Sequence, residues 1–137
     1  MGGEWVSVGV DIIEIGRIAV TLARFGERFL HRVYTAAEIA YCRGKPSRLA
    51  ARFAAKEAVA KALGVGIFWH EGVYWRDVEV TRDRRGKPGI HLSGGALERA
   101  QQEGLSHWAL SLSHSREYAV AMVVATKKVA TENTLPV

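Results

Sequence analysis

The chain has 137 residues, of which 48% are apolar and 24% are charged, and this balance is typical of one globular domain. Its single cysteine, Cys42, excludes an internal disulfide, and no stretch approaches the roughly 18 apolar residues that a membrane helix needs. The net charge of +5 and the pI of about 9.7 favour an anionic partner: a nucleic acid, a phosphorylated small molecule or an acidic protein. Because the first residues do not resemble a secretory leader, we expect a cytoplasmic protein.

A strand and a basic helix are predicted first. β-Branched residues over 5–13 are typical of a strand, and apolar residues at helical spacing predict a helix over 17–34. Gly26 is expected to break or kink that helix. Arginines four residues apart form a basic stripe along it, namely Arg24, Arg28 and Arg32.

Two further helices are predicted in the first half. Thr35 and Glu38 have the spacing of a capping box, which begins a short helix. An alanine-rich stretch predicts a long helix over 48–63, with Ser47 as its N-cap and Gly64 as its C-cap glycine.

The second half predicts four strands and one short helix. The strands cover 73–82, 88–92, 108–113 and 118–125, and the helix covers 96–103. The last strand is apolar at both parities, so we expect it to be buried on both faces. The order of elements favours a single α+β domain over 1–126, with an antiparallel sheet and a long central helix. The tail over 127–137 is predicted to be flexible.

Two acidic side chains are candidates for chemistry. Asp11 lies inside the apolar strand, where a carboxylate must bind a cation, pair with Arg17 or lie at a wet edge. Glu57 precedes Lys61 by four residues on the long helix, a spacing that is also typical of a surface ion pair. Because Mg²⁺ typically takes one or two carboxylates and leaves its other positions to water and phosphate, these residues together favour chemistry on a phosphate substrate.

Two weaker signals accompany them. His114 lies between the last two predicted strands, where a lone histidine is more often structural or solvated than functional. The turn Gly64-Val65-Gly66 is explained equally well by a helix cap.

Two longer motifs resemble those of the holo-acyl-carrier-protein synthases. Residues 8–18, Val-Gly-Val-Asp-Ile-Ile-Glu-Ile-Gly-Arg-Ile, resemble the N-terminal motif G-x-D-x-x-x-x-x-R-I of that family. Residues 52–64, Arg-Phe-Ala-Ala-Lys-Glu-Ala-Val-Ala-Lys-Ala-Leu-Gly, resemble its second motif, R-F-A-x-K-E-A-x-x-K-A-x-G, which is long and very specific. Residues 86–88 (Gly-Lys-Pro) and 112–114 (Leu-Ser-His) occupy the expected order, so the resemblance covers nearly the whole chain.

The resemblance implies a 4′-phosphopantetheinyl transferase-like fold and a Mg²⁺-dependent activity. The enzyme would move the 4′-phosphopantetheine arm of coenzyme A onto a serine of an acyl carrier protein. Asp11 and Glu57 match the Mg²⁺ ligands of the family, and Lys61 matches a lysine beside the α-phosphate. The positions around coenzyme A are matched by Arg52, Gly64, Pro88 and His114.

The resemblance also implies an assembly and a docking surface. The family is trimeric, with active sites between subunits, and His114 matches a histidine contributed by the neighbouring subunit. In this family one helix contacts the acidic carrier protein. The matching helix of this chain carries Arg17, Arg24 and Arg28. A basic helix agrees with this role, since long-range attraction would speed the encounter with an acidic carrier.

The residues support the same chemistry. A serine hydroxyl must attack a strongly anionic pyrophosphate, and Mg²⁺ with Lys61 would stabilise charge on the departing 3′,5′-ADP. The hydroxyl also needs a proton acceptor, for which Glu57, directly or through a metal-bound water, is the candidate.

Three alternatives stay open at this point. A nucleic-acid-binding module fits the charge, although the arginines lie on helical faces without interleaved aromatic residues. A non-catalytic subunit that only scaffolds a trimer, and a transferase that serves carrier proteins of secondary metabolism, are the others. The chain also departs from the family pattern, because Val65 replaces the threonine of many relatives and residues 68–70 (Phe-Trp-His) are bulky.

Overall fold

The computed structural model describes residues 5–65 and 72–128, which form five α-helices and five strands and confirm the predicted α+β class. In chain order the elements are β1 (Val6–Glu14), α1 (Ile15–Phe25), α2 (Glu27–Val33), α3 (Ala36–Cys42), α4 (Pro46–Leu63), β2 (Val78–Arg82), β3 (Pro88–Leu92), α5 (Gly94–Glu103), β4 (Leu105–His114) and β5 (Tyr118–Lys127). A single 3₁₀ turn, Trp75–Asp77, precedes β2, so this strand begins later than predicted.

The first predicted helix is two helices. Gly26 has a φ of 55°, a left-handed backbone angle that ends α1 and starts α2. Arg24 therefore lies on α1, whereas Arg28 and Arg32 lie on α2. The prediction of a basic stripe along one continuous helix is therefore wrong.

The caps of the other helices mostly follow the sequence. The capping box of Thr35 is present, and Gly64 ends α4 in the left-handed conformation, as predicted. The predicted N-cap at Ser47 is wrong. Lys45 is the N-cap and Pro46 is the first helical residue, because the fixed φ and missing N–H of proline suit the first turn.

The larger sheet has three antiparallel strands in the order β1-β5-β4, and β2 pairs with β3 in a separate two-stranded sheet. The register places Asp11 opposite Ala121 of the central strand, which in turn lies opposite Leu112 of β4. The face that carries Gly9 and Ala121 is the buried one, so Asp11 is on the side of the sheet that faces the helices.

The long helix α4 packs directly on that face. Its buried residues include a run of alanines, which allows a close approach to β1. A Cβ atom at Gly9 would overlap the carbonyl oxygen of Ala58, and the Ser7 hydroxyl donates to the carbonyl of Ala62 at 2.6 Å. This contact fixes the position of β1 along the last turns of α4.

A buried ion pair joins α3, α4 and β2. The Lys56 ammonium donates to a carboxylate oxygen of Glu38 at 2.8 Å and to the carbonyl oxygens of Trp75 and Val78. The second oxygen of Glu38 accepts from the amide of Val80 at 2.8 Å, and both charged side chains are fully buried. Each charge is compensated, and removal of one partner of such a pair typically costs about 3–5 kcal/mol.

The opposite face of the three-stranded sheet is apolar and exposed. Val8 is 62% exposed and Met122 is 50% exposed, and these two side chains share the face with Val10 and Ile12. The odd-numbered residues 119–125 of β5 are buried, but its even-numbered side chains are not. The expectation that β5 is buried on both faces is therefore wrong for a single chain.

The end of the described chain bears on the predicted domain boundary. β5 continues to Lys127, so the folded part includes the first residue of the predicted tail. Residues 129–137 lie outside the described residues, and the flexibility of the tail stays a prediction. Within the described ranges, no helix combines the length and the apolar character required to cross a bilayer.

Substitution of Gly9 tests the contact between β1 and α4. Gly9→Ala places a Cβ atom against the backbone of Ala58, so we expect a loss of about 1–3 kcal/mol or more in the free energy of unfolding. Urea denaturation measures it. The control is Gly16→Ala in α1, where an added Cβ has no described atom within 4 Å and should cost nothing. Equal stability of the two variants would contradict the proposed close approach.

Candidate active site

The first candidate cavity lies between β1, α1 and α4 and has a volume of about 280 Å³. Asp11 and Glu57 both line it, together with Arg17 and Phe53. Asp11 comes from β1 and Glu57 from α4, so the two carboxylates that are 46 positions apart in sequence converge on one cavity. The structure thus brings together the two residues predicted to share a metal ion.

Lys61 lies in the last turn of α4, one turn after Glu57, but does not pair with Glu57. Its ammonium donates to Asp11 at 3.1 Å and to the carbonyl of Val10 at 3.0 Å. The expected surface pair four residues apart on the helix is therefore replaced by a pair between helix and strand. Asp11 is mostly shielded, with 17% of its side chain exposed, and Lys61 reaches it from solvent.

The carboxylate of Glu57 is in an unfavourable place for a negative charge. Burial raises the pKa of Glu57, the charge of Asp11 raises it further, and the charge of Lys61 opposes both effects. No described residue donates a hydrogen bond to this carboxylate. Two acids that repel each other in one cavity are suited to hold a cation between them.

A second candidate cavity, of about 290 Å³, lies beside β4 and contains three of the four residues predicted to contact coenzyme A. Arg52 of α4, Pro88 of β3 and His114 of β4 line it. The cavity also contains three residues that sequence patterns did not single out: Tyr41, Arg48 and Arg82. A signal for Arg48 existed, since it precedes Arg52 by one helical turn.

The two cavities share no lining residue and lie at opposite edges of the sheet. The Asp11 cavity is beside edge strand β1, and the His114 cavity is beside edge strand β4, with β5 between them. One chain therefore presents two separate candidate cavities, one at each edge of this sheet.

Gly64 is not among the lining residues of either cavity. It is exposed at the end of α4, one turn after Lys61 in sequence, and has a φ of 74° that suits glycine. Val65 follows it and is half-buried. The bulky segment 68–70, which was expected to alter the cavity entrance, lies outside the described residues.

The predicted carrier-binding arginines are all exposed. Arg17 and Arg24 lie on α1, and Arg28 lies on α2 beyond the break at Gly26. Arg17 lines the Asp11 cavity as well as a groove that reaches Arg116 in the turn between β4 and β5. A basic surface thus adjoins the carboxylates.

Comparisons with known proteins identify the family. Residues 7–123 match the model of the 4′-phosphopantetheinyl transferase superfamily. A holo-[acyl-carrier-protein] synthase of Herpetosiphon aurantiacus is 52% identical over 120 residues, which cover 85% of this chain and 94% of that protein. The chain belongs to the holo-[acyl-carrier-protein] synthase family. The resemblance seen in the two motifs is thereby confirmed.

Solved structures of this family have the same fold. The holo-[acyl-carrier-protein] synthase of Helicobacter pylori, in complex with coenzyme A, superposes with a TM-score of 0.78 at 34% identity and covers 87% of this chain and 99% of its own. The synthase of Neisseria meningitidis superposes with a TM-score of 0.79 at 36% identity and covers 88% of this chain and 98% of its own. This chain therefore has the fold of these family members.

The environment of Glu57 predicts how pH affects stability. Because burial and Asp11 raise the pKa of Glu57 in the folded state, its ionisation destabilises the metal-free protein as the pH rises through that pKa. Glu57→Gln should therefore have a higher Tm than the wild type at neutral pH in the presence of EDTA. The difference should vanish below the pKa of Glu57 in the unfolded chain. Calorimetry at several pH values measures it.

An exposed acid provides the control for that experiment. Glu98 of α5 is exposed, so Glu98→Gln should have the same Tm as the wild type across the same pH range. If the wild type and Glu57→Gln have the same Tm at every pH, burial and Asp11 do not raise the pKa of Glu57.

Proposed function

We propose that the chain transfers 4′-phosphopantetheine from coenzyme A to a serine of apo-acyl carrier protein, releasing 3′,5′-ADP. The observation that carries this proposal is the convergence of Asp11 and Glu57 on one cavity, with Lys61 against Asp11. Family membership and the coenzyme A complex of the Helicobacter pylori relative support it.

The donor set of the first cavity fits Mg²⁺. The two carboxylates offer hard oxygen ligands. Burial and the charge of Asp11 raise the pKa of Glu57, so both acids gain from a cation between them. Asp11 and Glu57 would hold the ion, which would supply electrostatic stabilisation of the pyrophosphate when bound. The proposed ion is Mg²⁺, and Mn²⁺ is the alternative.

The side chains around the metal ligands have separate tasks in this proposal. The carrier serine forms a bond from its oxygen to the phosphorus that carries pantetheine, while the bond from that phosphorus to the bridging oxygen of the pyrophosphate breaks. Lys61 neutralises charge on the departing 3′,5′-ADP, since its ammonium is exposed beside Asp11. Glu57 is our candidate for the acceptor of the serine proton.

The assembly we propose is a homotrimer with active sites between subunits. The exposed apolar face of the sheet includes Val8, Val10, Ile12 and Met122, and a patch of this kind marks an interaction surface. Joining the β1 edge of one subunit to the β4 edge of the next would combine an Asp11 cavity with a His114 cavity. Head-to-tail contacts of this kind close into a ring, and the number three rests on the family resemblance.

The carrier protein is proposed to dock on the exposed basic surface of α1 and α2, formed by Arg17, Arg24 and Arg28. Arg17 lines the Asp11 cavity, so an acidic carrier held on this surface would present its serine to the pyrophosphate. A fatty-acid carrier protein is the proposed acceptor, and a carrier of secondary metabolism is the alternative. A cytoplasmic location is proposed with this role.

Mass spectrometry of an apo-carrier protein incubated with coenzyme A, Mg²⁺ and this protein tests the activity. We expect the carrier to gain the mass of the 4′-phosphopantetheine arm and EDTA to prevent the gain. Asp11→Ala and Glu57→Ala should each lower the rate by about 100-fold or more, because each removes one ligand of the cation. Glu98→Ala serves as the exposed control, and unchanged rates in both cavity variants would refute the metal assignment.

The mass of the assembly in solution tests the proposed trimer. The chain mass is 15.1 kDa, so light scattering should give about 45 kDa for the wild type. Val8→Asp puts a charge in the apolar face and should give monomers that retain their circular dichroism but lose activity. The control is Val20→Asp, which changes an exposed valine on α1 and should remain trimeric. A monomeric wild type would overturn the proposed assembly.

A further inference from the structure

One of the two candidate metal ligands is already bound to a cation of the protein itself. The ammonium of Lys61 donates to Asp11 Oδ1 at 3.1 Å and to the carbonyl oxygen of Val10 at 3.0 Å. Lys61 lies in the last turn of α4, whereas Val10 and Asp11 are neighbours on β1. Because the two acceptors come from adjacent residues, they hold the ammonium against the carboxylate of Asp11.

Positive charges of the protein oppose the two carboxylates of the first cavity. Lys61 pairs with Asp11, and Arg17 lines the same cavity as Asp11 and Glu57. A divalent cation that enters must share Asp11 with the ammonium, and two cations at one carboxylate repel each other. Glu57 forms no ion pair with any residue that the structure describes, so the competition between lysine and metal ion is centred on Asp11.

The pair between Lys61 and Asp11 is able to exchange partners. The side chain of Lys61 is 54% exposed, and pairs that involve such an exposed ammonium contribute little, because water competes for the charge. Lysine carries a compact charge on a flexible stem, so its ammonium can turn from a carboxylate to a nearby phosphate. A pyrophosphate carries more negative charge than one carboxylate and therefore attracts the ammonium more strongly.

We propose that Lys61 competes with the metal ion for Asp11 until the pyrophosphate of coenzyme A draws the ammonium away. Lys61 then neutralises the pyrophosphate, and the charge of Asp11 is left for the metal ion. This inference rests on the proposed function. Because coupling between two ligands is reciprocal, the metal ion and coenzyme A should each raise the affinity for the other. Without coenzyme A, the protein should bind the metal ion weakly.

The affinity for Mn²⁺ in the absence of coenzyme A tests the competition. Mn²⁺ takes carboxylate ligands as Mg²⁺ does, and electron paramagnetic resonance reports the concentration of the unbound ion. Lys61→Met keeps an apolar stem and removes the charge, so it should bind Mn²⁺ about 5- to 10-fold more tightly than the wild type. Coenzyme A should then raise the Mn²⁺ affinity by a smaller factor in Lys61→Met, because no competition remains to be relieved. Coenzyme A without protein gives the background.

Three variants control for charge and for location. Lys61→Arg keeps a positive charge beside Asp11 and should keep the weak affinity of the wild type for Mn²⁺. Lys128→Met removes the same charge from an exposed lysine roughly 20 Å along the strand direction from Ala121, the partner of Asp11, and should change the affinity by less than about twofold. Asp11→Asn combined with Lys61→Met removes the ligand and should abolish the gain in affinity.

The outcomes separate this inference from the proposed function. A wild type that transfers no arm from coenzyme A in the presence of Mg²⁺ refutes the proposed function. A wild type that transfers the arm, while Lys61→Met binds Mn²⁺ no more tightly than Lys128→Met does, refutes the competition alone. The competition is also refuted if Lys61→Arg binds Mn²⁺ as tightly as Lys61→Met.

Discussion

The packing of α4 on β1 is the contact on which the rest of the structure depends. It requires glycine at position 9 and small residues on the facing side of the helix, because the backbones meet there. Asp11 is two residues beyond Gly9 on the same face of the strand, so the close approach also brings Asp11 against α4, where it pairs with Lys61 and shares a cavity with Glu57. The same contact therefore contributes to stability and sets the geometry of the cavity. One of its partners lies in the motif at residues 8–18 and the other in the motif at residues 52–64.

Much of the fold follows from local patterns, and the failures have physical causes. The long helix, the capping box at Thr35 and the C-cap at Gly64 were predictable because neighbouring residues determine them. The partner of Lys61 was not, because helical spacing favours Glu57 and only tertiary packing brings Asp11 closer. The second cavity brings together Tyr41 of α3, Arg52 of α4 and Arg82 of β2, and no local pattern reports contacts of that kind.

The central strand shows what an apolar pattern can and cannot record. Its alternate faces are both apolar, yet only the face toward α4 is buried in one chain. A sequence pattern reports that a face avoids water without specifying whether the same chain or another one covers it. The two cavities at the sheet edges pose the same question, because the structure of one chain places Asp11 and His114 in separate cavities.

The pair formed by Glu38 and Lys56 has a consequence for how such chains diverge. Both charges are fully enclosed and bonded to each other and to the backbone of the β2 region. A descendant that lost one partner would retain a lone charge in the interior, whereas a simultaneous exchange of both for apolar residues could be neutral. Evolutionary drift at these two positions is thus coupled, and related chains should carry either both charges or neither.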